Sequence, residues 1–260
     1  MSFISIIENT FFANGHYWGS LNSSFYTNGS IRAMKTGIES ADLNMVWNEK
    51  PLMPDDNKAI PKIKKDFQQA GLPFWWWVFP RSQSVATIDM LEAEGFSLVE
   101  SIPSMLADLT GLSDEETCDS DVSVIRVRNE EELNFWEEVS FAGFDFPHKT
   151  KEQYHRFVST LNLSASSPQK LFLACLNGIP VATSLLFLNG NAGGIYFITT
   201  LAEHRKKGIG LKLTTATLRF AKIAGARFAA LQSSPDGLRV YQQAGFKEYC
   251  RVDVYSLNGA

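Results

Sequence analysis

The sequence predicts an α/β (α+β) protein built from two tandem units, and three observations carry the prediction. Short apolar strand-like runs, such as "VSVIRVR", "KLFLACL" and "RFAALQ", alternate with amphipathic helical runs such as "LKLTTATLRFAKIAG". An order of helix, glycine stop and strand occurs twice, with Gly95-Phe96 and Gly245-Phe246 standing 150 positions apart. Between the two occurrences, Thr110 to Asp121 ("TGLSDEETCDSD") is poor in hydrophobic residues and rich in acidic and small polar ones, as linkers are. A division at 116/117 gives a first unit over 1–116 and a second over 117–260.

In the second unit, "VSVIRVR" (Val122 to Arg128) alternates as a half-buried strand does, and "NEEELNFWEEVSFA" follows as a helix that Asn129 can cap. "KEQYHRFVSTL" is a second short helix. "KLFLACL" and "VATSLLFL" are strands joined by Asn177-Gly178, a tight hairpin signal, and Asn189-Gly190 leads into a third strand, "GGIYFITTL". Leu211 to Ala224 is a helix stopped by Gly225, "RFAALQ" a buried strand, "GLRVYQQA" a short helix stopped by Gly245, and "FKEYCRVDVYSL" a closing strand. The first unit repeats the later part of this order: "IPKIKKDFQQAG" and "SVATIDMLEAEG" are helices with glycine stops, "PFWWWVF" and "FSLVES" strands. Within "WWW", strand alternation sends Trp75 and Trp77 to one face and Trp76 to the other, into core and inter-unit packing.

Composition narrows the function. With 45% hydrophobic residues among 260, the chain can bury a core. Residues 121–260 hold 16 Lys and Arg against 12 Asp and Glu, while residues 1–120 hold 8 against 16. The basic surplus of the second half suits an anionic ligand but is too small to indicate nucleic acid. "MSFISIIENTFFANGHYW" has neither a basic leader nor an unbroken apolar run, so no signal peptide or membrane span is predicted and a cytoplasmic location is expected. Cys118, Cys175 and Cys250 form no CxxC pair, so neither disulfides nor a zinc site are expected; they read as small buried hydrophobes.

The chemistry concentrates in "HRKKGIG", His204 to Gly210, between a strand and a helix. Glycines at the start of a helix free backbone N–H groups and admit a close approach, and the helix dipole favours an anion there. The spacing is neither the GxxxxGK[ST] of a P-loop nor the GxGxxG of a dinucleotide fold.

Arg205-Lys206-Lys207-Gly208-Ile209-Gly210 resembles the [Q/R]-x-x-G-x-[G/A] acyl-CoA motif of the GCN5-related N-acetyltransferase (GNAT) family. "LQSSPDGLRVYQQAGF", Leu231 to Phe246, is similar to that family's next block of strand, polar loop and short helix carrying a tyrosine. The resemblance covers about residues 121–260, with the first half a degenerate second copy in which Leu91 falls where Tyr241 stands. It implies a mixed, mostly antiparallel sheet flanked by helices, and N-acetyl transfer from acetyl-CoA to a small-molecule or peptide amine. No metal, nucleic acid or membrane is implied, and the protein is expected as a monomer or homodimer.

Carried over by position, the resemblance gives the backbone of Arg205, Lys206, Lys207, Gly208, Ile209 and Gly210 to the CoA pyrophosphate and the strand Ile198, Thr199, Thr200 to the pantetheine arm. It makes Tyr241 the proton donor to the leaving thiolate. Ser234 stands where relatives often carry an Asn that contacts CoA, and Ala202 and His204 replace a frequent Pro and aromatic. For a general base, Asp145, His148, Glu152, His155 and Tyr196 are candidates. A non-catalytic CoA-binding or sensing module is the alternative reading.

Overall fold

The computed structural model describes residues 2–22, 25–113 and 121–257; the expected boundary at 116/117, most of the linker and Cys118 lie outside them. The first half opens with a 20-residue helix, α1 (Phe3–Asn22), which the sequence reading did not anticipate. Glu8, Thr10 and Asn14 are as buried as Ile7 and Phe11 on this helix. A helix covered on most sides carries no polar stripe, so its periodicity is faint. There follow β1 (Phe25–Asn28), β2 (Ile31–Met34), β3 (Met45–Asn48), α2 (Ala59–Gln69), β4 (Trp75–Val78), α3 (Val85–Ala93) and β5 (Phe96–Asp108). Ser84 caps α3, its Oγ accepting the Thr87 N–H at 3.0 Å.

The second half runs β6 (Val122–Arg126), α4 (Glu130–Gly143), α5 (Lys151–Ser159), β7 (Gln169–Leu176), β8 (Ile179–Asn189), β9 (Ala192–Thr200), α6 (Ile209–Ile223), β10 (Phe228–Gln232), α7 (Leu238–Gln243) and β11 (Lys247–Leu257), in the predicted order. Asn129 caps α4 as expected, its Oδ1 accepting the Glu132 N–H at 2.9 Å. Asn177 and Gly178 both hold positive φ, 51° and 82°, as a two-residue turn matched to strand twist requires. The next turn is centred on Gly190 and Asn191, one residue beyond the Asn-Gly pair that signalled it.

The eleven strands among the described residues join one sheet in the order β1-β2-β3-β4-β11-β5-β10-β9-β8-β7-β6. It is mostly antiparallel; the parallel neighbours are β3 with β4 and β9 with β10. Each half ends in a strand that crosses into the other: β5 lies between β10 and β11, and β11 lies between β5 and β4.

One face of the sheet is covered by α1, α4 and α5 around Phe11, Trp18, Trp77, Trp136, Phe157 and Val252, a core drawn from both halves. On the other face, Leu213, Leu218 and Phe246 pack under α6 and α7. There too Ile60, Phe67, Leu91 and Trp76 pack under α2 and α3. Trp77 and Trp76 thus divide between the faces as alternation requires. Polar ties also cross the halves: Tyr17 Oη meets Ser167 Oγ at 3.2 Å, Gln83 Nε2 donates to Asp253 at 3.0 Å, and Lys149 pairs with Glu39 at 2.7 Å.

Candidate active site

β9 runs beside β10 only from Ala192 to Gly194. Further on, Phe197 takes φ 51° and the register with β8 shifts between Thr183 and Leu185, a bulge whose Phe197 carbonyl accepts the Thr183 hydroxyl at 2.9 Å. A bulge bends its strand. β9 therefore turns away from β10, and a cavity of about 210 Å³ opens between them. Tyr241, Ser234 and Ile198 line it from the second half; Asn14, Trp18 and Asp42 line it from the first.

The N–H of Leu201 bonds Val181 on β8, so strand alternation points the backbone groups of Ile198 and Thr200 to the open edge and those of Thr199 to β8. Thr199 is buried, and a Cβ on Gly143 of α4 would come within 2.6 Å of it, so Gly143 is what lets this helix lie so close. After a short 3-10 turn at Ala202–His204, Lys206 and Gly208 adopt positive φ, 62° and 77°, and α6 begins at Ile209. Gly208 provides α6 with no side-chain cap, so its first N–H groups keep their donors free of one. A Cβ on Gly210 would meet only Thr200 Oγ1, at 3.6 Å, so the chain itself does not demand glycine there. Ile209 is buried and anchors the helix.

Arg205 is committed to structure. Its Nε donates to the Thr200 carbonyl at 2.9 Å and an Nη to the Gly143 carbonyl at 3.0 Å, tying the loop to the C-terminus of α4. Lys206 and Lys207 are exposed.

Tyr241 is only 8% exposed, and burial pushes its phenol up to about 12. It therefore stays protonated at any ordinary pH and can donate. Its ring occupies space that Gly237 leaves vacant, since a Cβ there would lie 2.5 Å from Cε2. Ser234 Oγ accepts the Gly237 N–H at 3.2 Å, so Ser234 shapes the turn that opens α7. The sequence reading placed Gly237 at the head of the short helix; its steric role required the fold.

Of the candidate bases, Tyr196 alone lines the cavity, and burial raises its phenol, which disfavours proton abstraction. Glu152 pairs with Arg156 at 2.5 Å on the exposed face of α5, and His155 Nδ1 faces Glu137 at 2.9 Å. His148 and Asp145 also lie outside the cavity wall. The carboxylate that does line it is Asp42, from a segment the sequence reading left unassigned. Ser40 Oγ donates to Asp42 Oδ1 at 2.5 Å, and burial raises the Asp42 carboxyl above its ordinary 3.8.

Among the described residues no group of three His, Cys, Asp or Glu is arranged to hold a metal, and no helix is long and apolar enough to cross a membrane. Residues 131–246 match the model of the acetyltransferase (GNAT) family. Over that stretch the chain is similar to a GNAT domain. The solved structure of a GCN5-related N-acetyltransferase from Kribbella flavida shares the fold at a TM-score of 0.72 and 19% identity, over 96% of each chain. A GCN5-related N-acetyltransferase from Sphaerobacter thermophilus gives 0.63 at 15% identity, over 87% of this chain and 76% of that one. A tandem GNAT protein from the clavulanic acid biosynthesis pathway gives 0.59 at 13%, over 87% of this chain and 77% of that one. No curated protein matches the sequence. At these identities the structural likeness is one of GNAT fold, and the mixed, mostly antiparallel sheet flanked by helices is that fold.

Proposed function

We propose that the protein is an N-acetyltransferase that moves an acetyl group from acetyl-CoA to an amine by direct attack in a ternary complex. The observation that carries this reading is that the Tyr241 phenol and the unpaired edge of β9 face one cavity, next to a helix N-terminus with no side-chain cap. The residues present fit the donor. The N–H groups opening α6 suit a pyrophosphate, and the missing side chain at Gly210 leaves them approachable. Ile198 and Thr200 offer an open strand edge to an amide-bearing arm, although the Thr200 carbonyl is shared with Arg205.

Acetyl-CoA would supply an acyl group already activated as a thioester. The protein holds the two reactants together, and the protonated phenol of Tyr241 donates to the departing sulfur. A cytoplasmic location accompanies this reading.

The first half, 1–116, reads as a degenerate copy. At an offset of 150, β3 corresponds to β9, α2 to α6 and α3 to α7. At that offset, however, Lys58 and Ile60 stand in place of Gly208 and Gly210, Asp55 and Asp56 stand in place of Arg205 and Lys206, and the Asp56 carboxylate accepts the Met53 N–H at 2.9 Å. That carboxylate disfavours an anion at that end, and Leu91 brings no proton donor.

The test is thiol release from acetyl-CoA by the full chain against a panel of amines, with calorimetric titration of CoA. CoA binding without thiol release from any amine would sink the enzyme and leave a CoA-binding module.

A further inference from the structure

The cavity holds an asymmetry that acyl transfer by itself does not explain. Asp42 is the only charged side chain among the described residues that line it, and no Lys, Arg or His faces it. Asp42 is enclosed by neighbouring atoms yet keeps part of its surface open. A carboxylate held out of water costs free energy unless something cationic completes it. Beside it, Asn14 is 2% exposed and its Oδ1, which also belongs to the lining residue, has no hydrogen-bond partner. An acceptor without a donor thus stands in the same wall as a carboxylate whose only side-chain donor is the neutral hydroxyl of Ser40.

The segment that carries Asp42 is built rather than incidental. Asn44, fully buried, donates from Nδ2 to the carbonyls of Ile38 and Ser40 at 2.6 and 3.0 Å and to that of Pro73 at 2.9 Å, while its Oδ1 accepts the Thr36 N–H at 3.0 Å. From outside, Lys149 of the second half grips Glu39 in the same segment. Apart from Gln232 and Ser234 on the second half's side, the rest of the wall is aromatic or apolar, including Phe11, Trp18, Trp77, Phe144 and Phe146.

Resting on the proposed function, we infer that Asp42 is the acceptor-side catalytic carboxylate, supplied by the first half, and that the acceptor is a small primary amine with an apolar body. The ammonium docks between the Asp42 carboxylate and Asn14 Oδ1, and the apolar body lies against Trp18 and Phe146. At about 210 Å³ the cavity is smaller than the roughly 300–1,000 Å³ of drug-sized sites, which selects against an acceptor with a bulky body. Asp42 takes one proton from the ammonium. The freed nitrogen lone pair forms the C–N bond as the C–S bond breaks; Tyr241 gives its phenolic proton to sulfur and regains the second amine proton. Asp42 then releases its proton to solvent.

The experiment measures two things on the full chain: quenching of Trp18 and Trp77 fluorescence by a panel of small arylalkyl and alkyl primary amines, benzylamine and phenethylamine among them, each beside its alcohol isostere, and thiol release from acetyl-CoA with the same panel. At least one amine should bind better than its alcohol by about tenfold or more, and Asp42→Asn should erase that preference, as expected for losing a buried charge partner. Asp42→Asn should also lower kcat/KM by about 10²-fold or more, the scale of general-base catalysis, with acetyl-CoA affinity unchanged. Asn14→Leu should weaken amine binding and spare CoA binding. An amine preference that survives in Asp42→Asn, equal turnover by that variant, or absence of any amine preference overturns the inference. Amine binding that depends on Asp42 without thiol release upholds the amine site and sinks acetyl transfer instead.

Discussion

Ile102 and Val252 lie directly opposite each other in antiparallel β5 and β11. They are 150 positions apart, the same offset that aligns Gly95-Phe96 with Gly245-Phe246. Residues at this offset therefore meet at the centre of the sheet, where each half lends its last strand to the other. The cavity between β9 and β10 is a product of this exchange, because β5 flanks β10 and α1 roofs the opening.

The exchange makes the halves interdependent. A fragment of residues 117–260 lacks the strand between β10 and β11 and bares the core under α1, so we expect it to be insoluble or to show no cooperative thermal transition. The full chain should unfold in one transition by calorimetry and by tryptophan fluorescence. A soluble, cooperatively folded fragment that binds CoA with full-chain affinity would contradict this.

The two glycines of the loop should respond differently. Gly208→Val places a β-branched residue at φ 77°, at a cost of about 1–2 kcal/mol, and should lower the melting temperature as well as acetyl-CoA affinity. Gly210→Val should leave melting nearly unchanged and still weaken acetyl-CoA, because only an approaching ligand needs that space. Lys206→Ala should change affinity by about threefold or less, as exposed charges do. Calorimetric titration gives the ranking.

Tyr241→Phe should lower kcat by about 10²-fold while KM for acetyl-CoA shifts about twofold at most, as removal of a proton donor predicts. With its pKa near 12, Tyr241 should cause no loss of wild-type activity up to about pH 10. Gly237→Ala should mimic Tyr241→Phe by displacing the ring. A pH–rate profile and steady-state kinetics of both variants decide this.

Asp42 should also lower stability. Its folded-state pKa lies above the ordinary 3.8, so folding is favoured most below that value and the contribution is lost as pH rises through the folded-state pKa. At pH 7–8, Asp42→Asn should raise the melting temperature, by about 2–4 °C if ~1 kcal/mol is recovered. The gain should shrink towards zero below pH 4. Melting curves across pH check the sign.

Much of the second half was legible because its signals are local. Asn129 caps a helix, Asn177-Gly178 turns a hairpin, and the glycines of "HRKKGIG" open a helix, each through contacts within a few residues. The first 50 residues were less legible. α1 is buried almost all round, and β1 to β3 are four-residue strands, too short for alternation to register. The base was sought among Asp145, His148, Glu152, His155 and Tyr196 because nothing local marks Asp42; only packing of its segment over the cavity does.

By itself, the sequence determined the order of elements in the second half, the likeness of Arg205 to Gly210 to the GNAT acyl-CoA motif, Tyr241 as the donor candidate, and the 150-residue offset between Gly95-Phe96 and Gly245-Phe246. These rest on backbone preferences and short-range hydrogen bonds, which the chain carries wherever it goes. The tertiary structure alone decided that the halves share one sheet by exchanging β5 and β11, that Arg205 is a tie rather than a free cation, and that Asp42 and Asn14 complete the cavity. Those depend on burial and on which surfaces meet across long stretches of chain, from 62 residues between Arg205 and Gly143 to 150 between Ile102 and Val252, and no local pattern marks both partners.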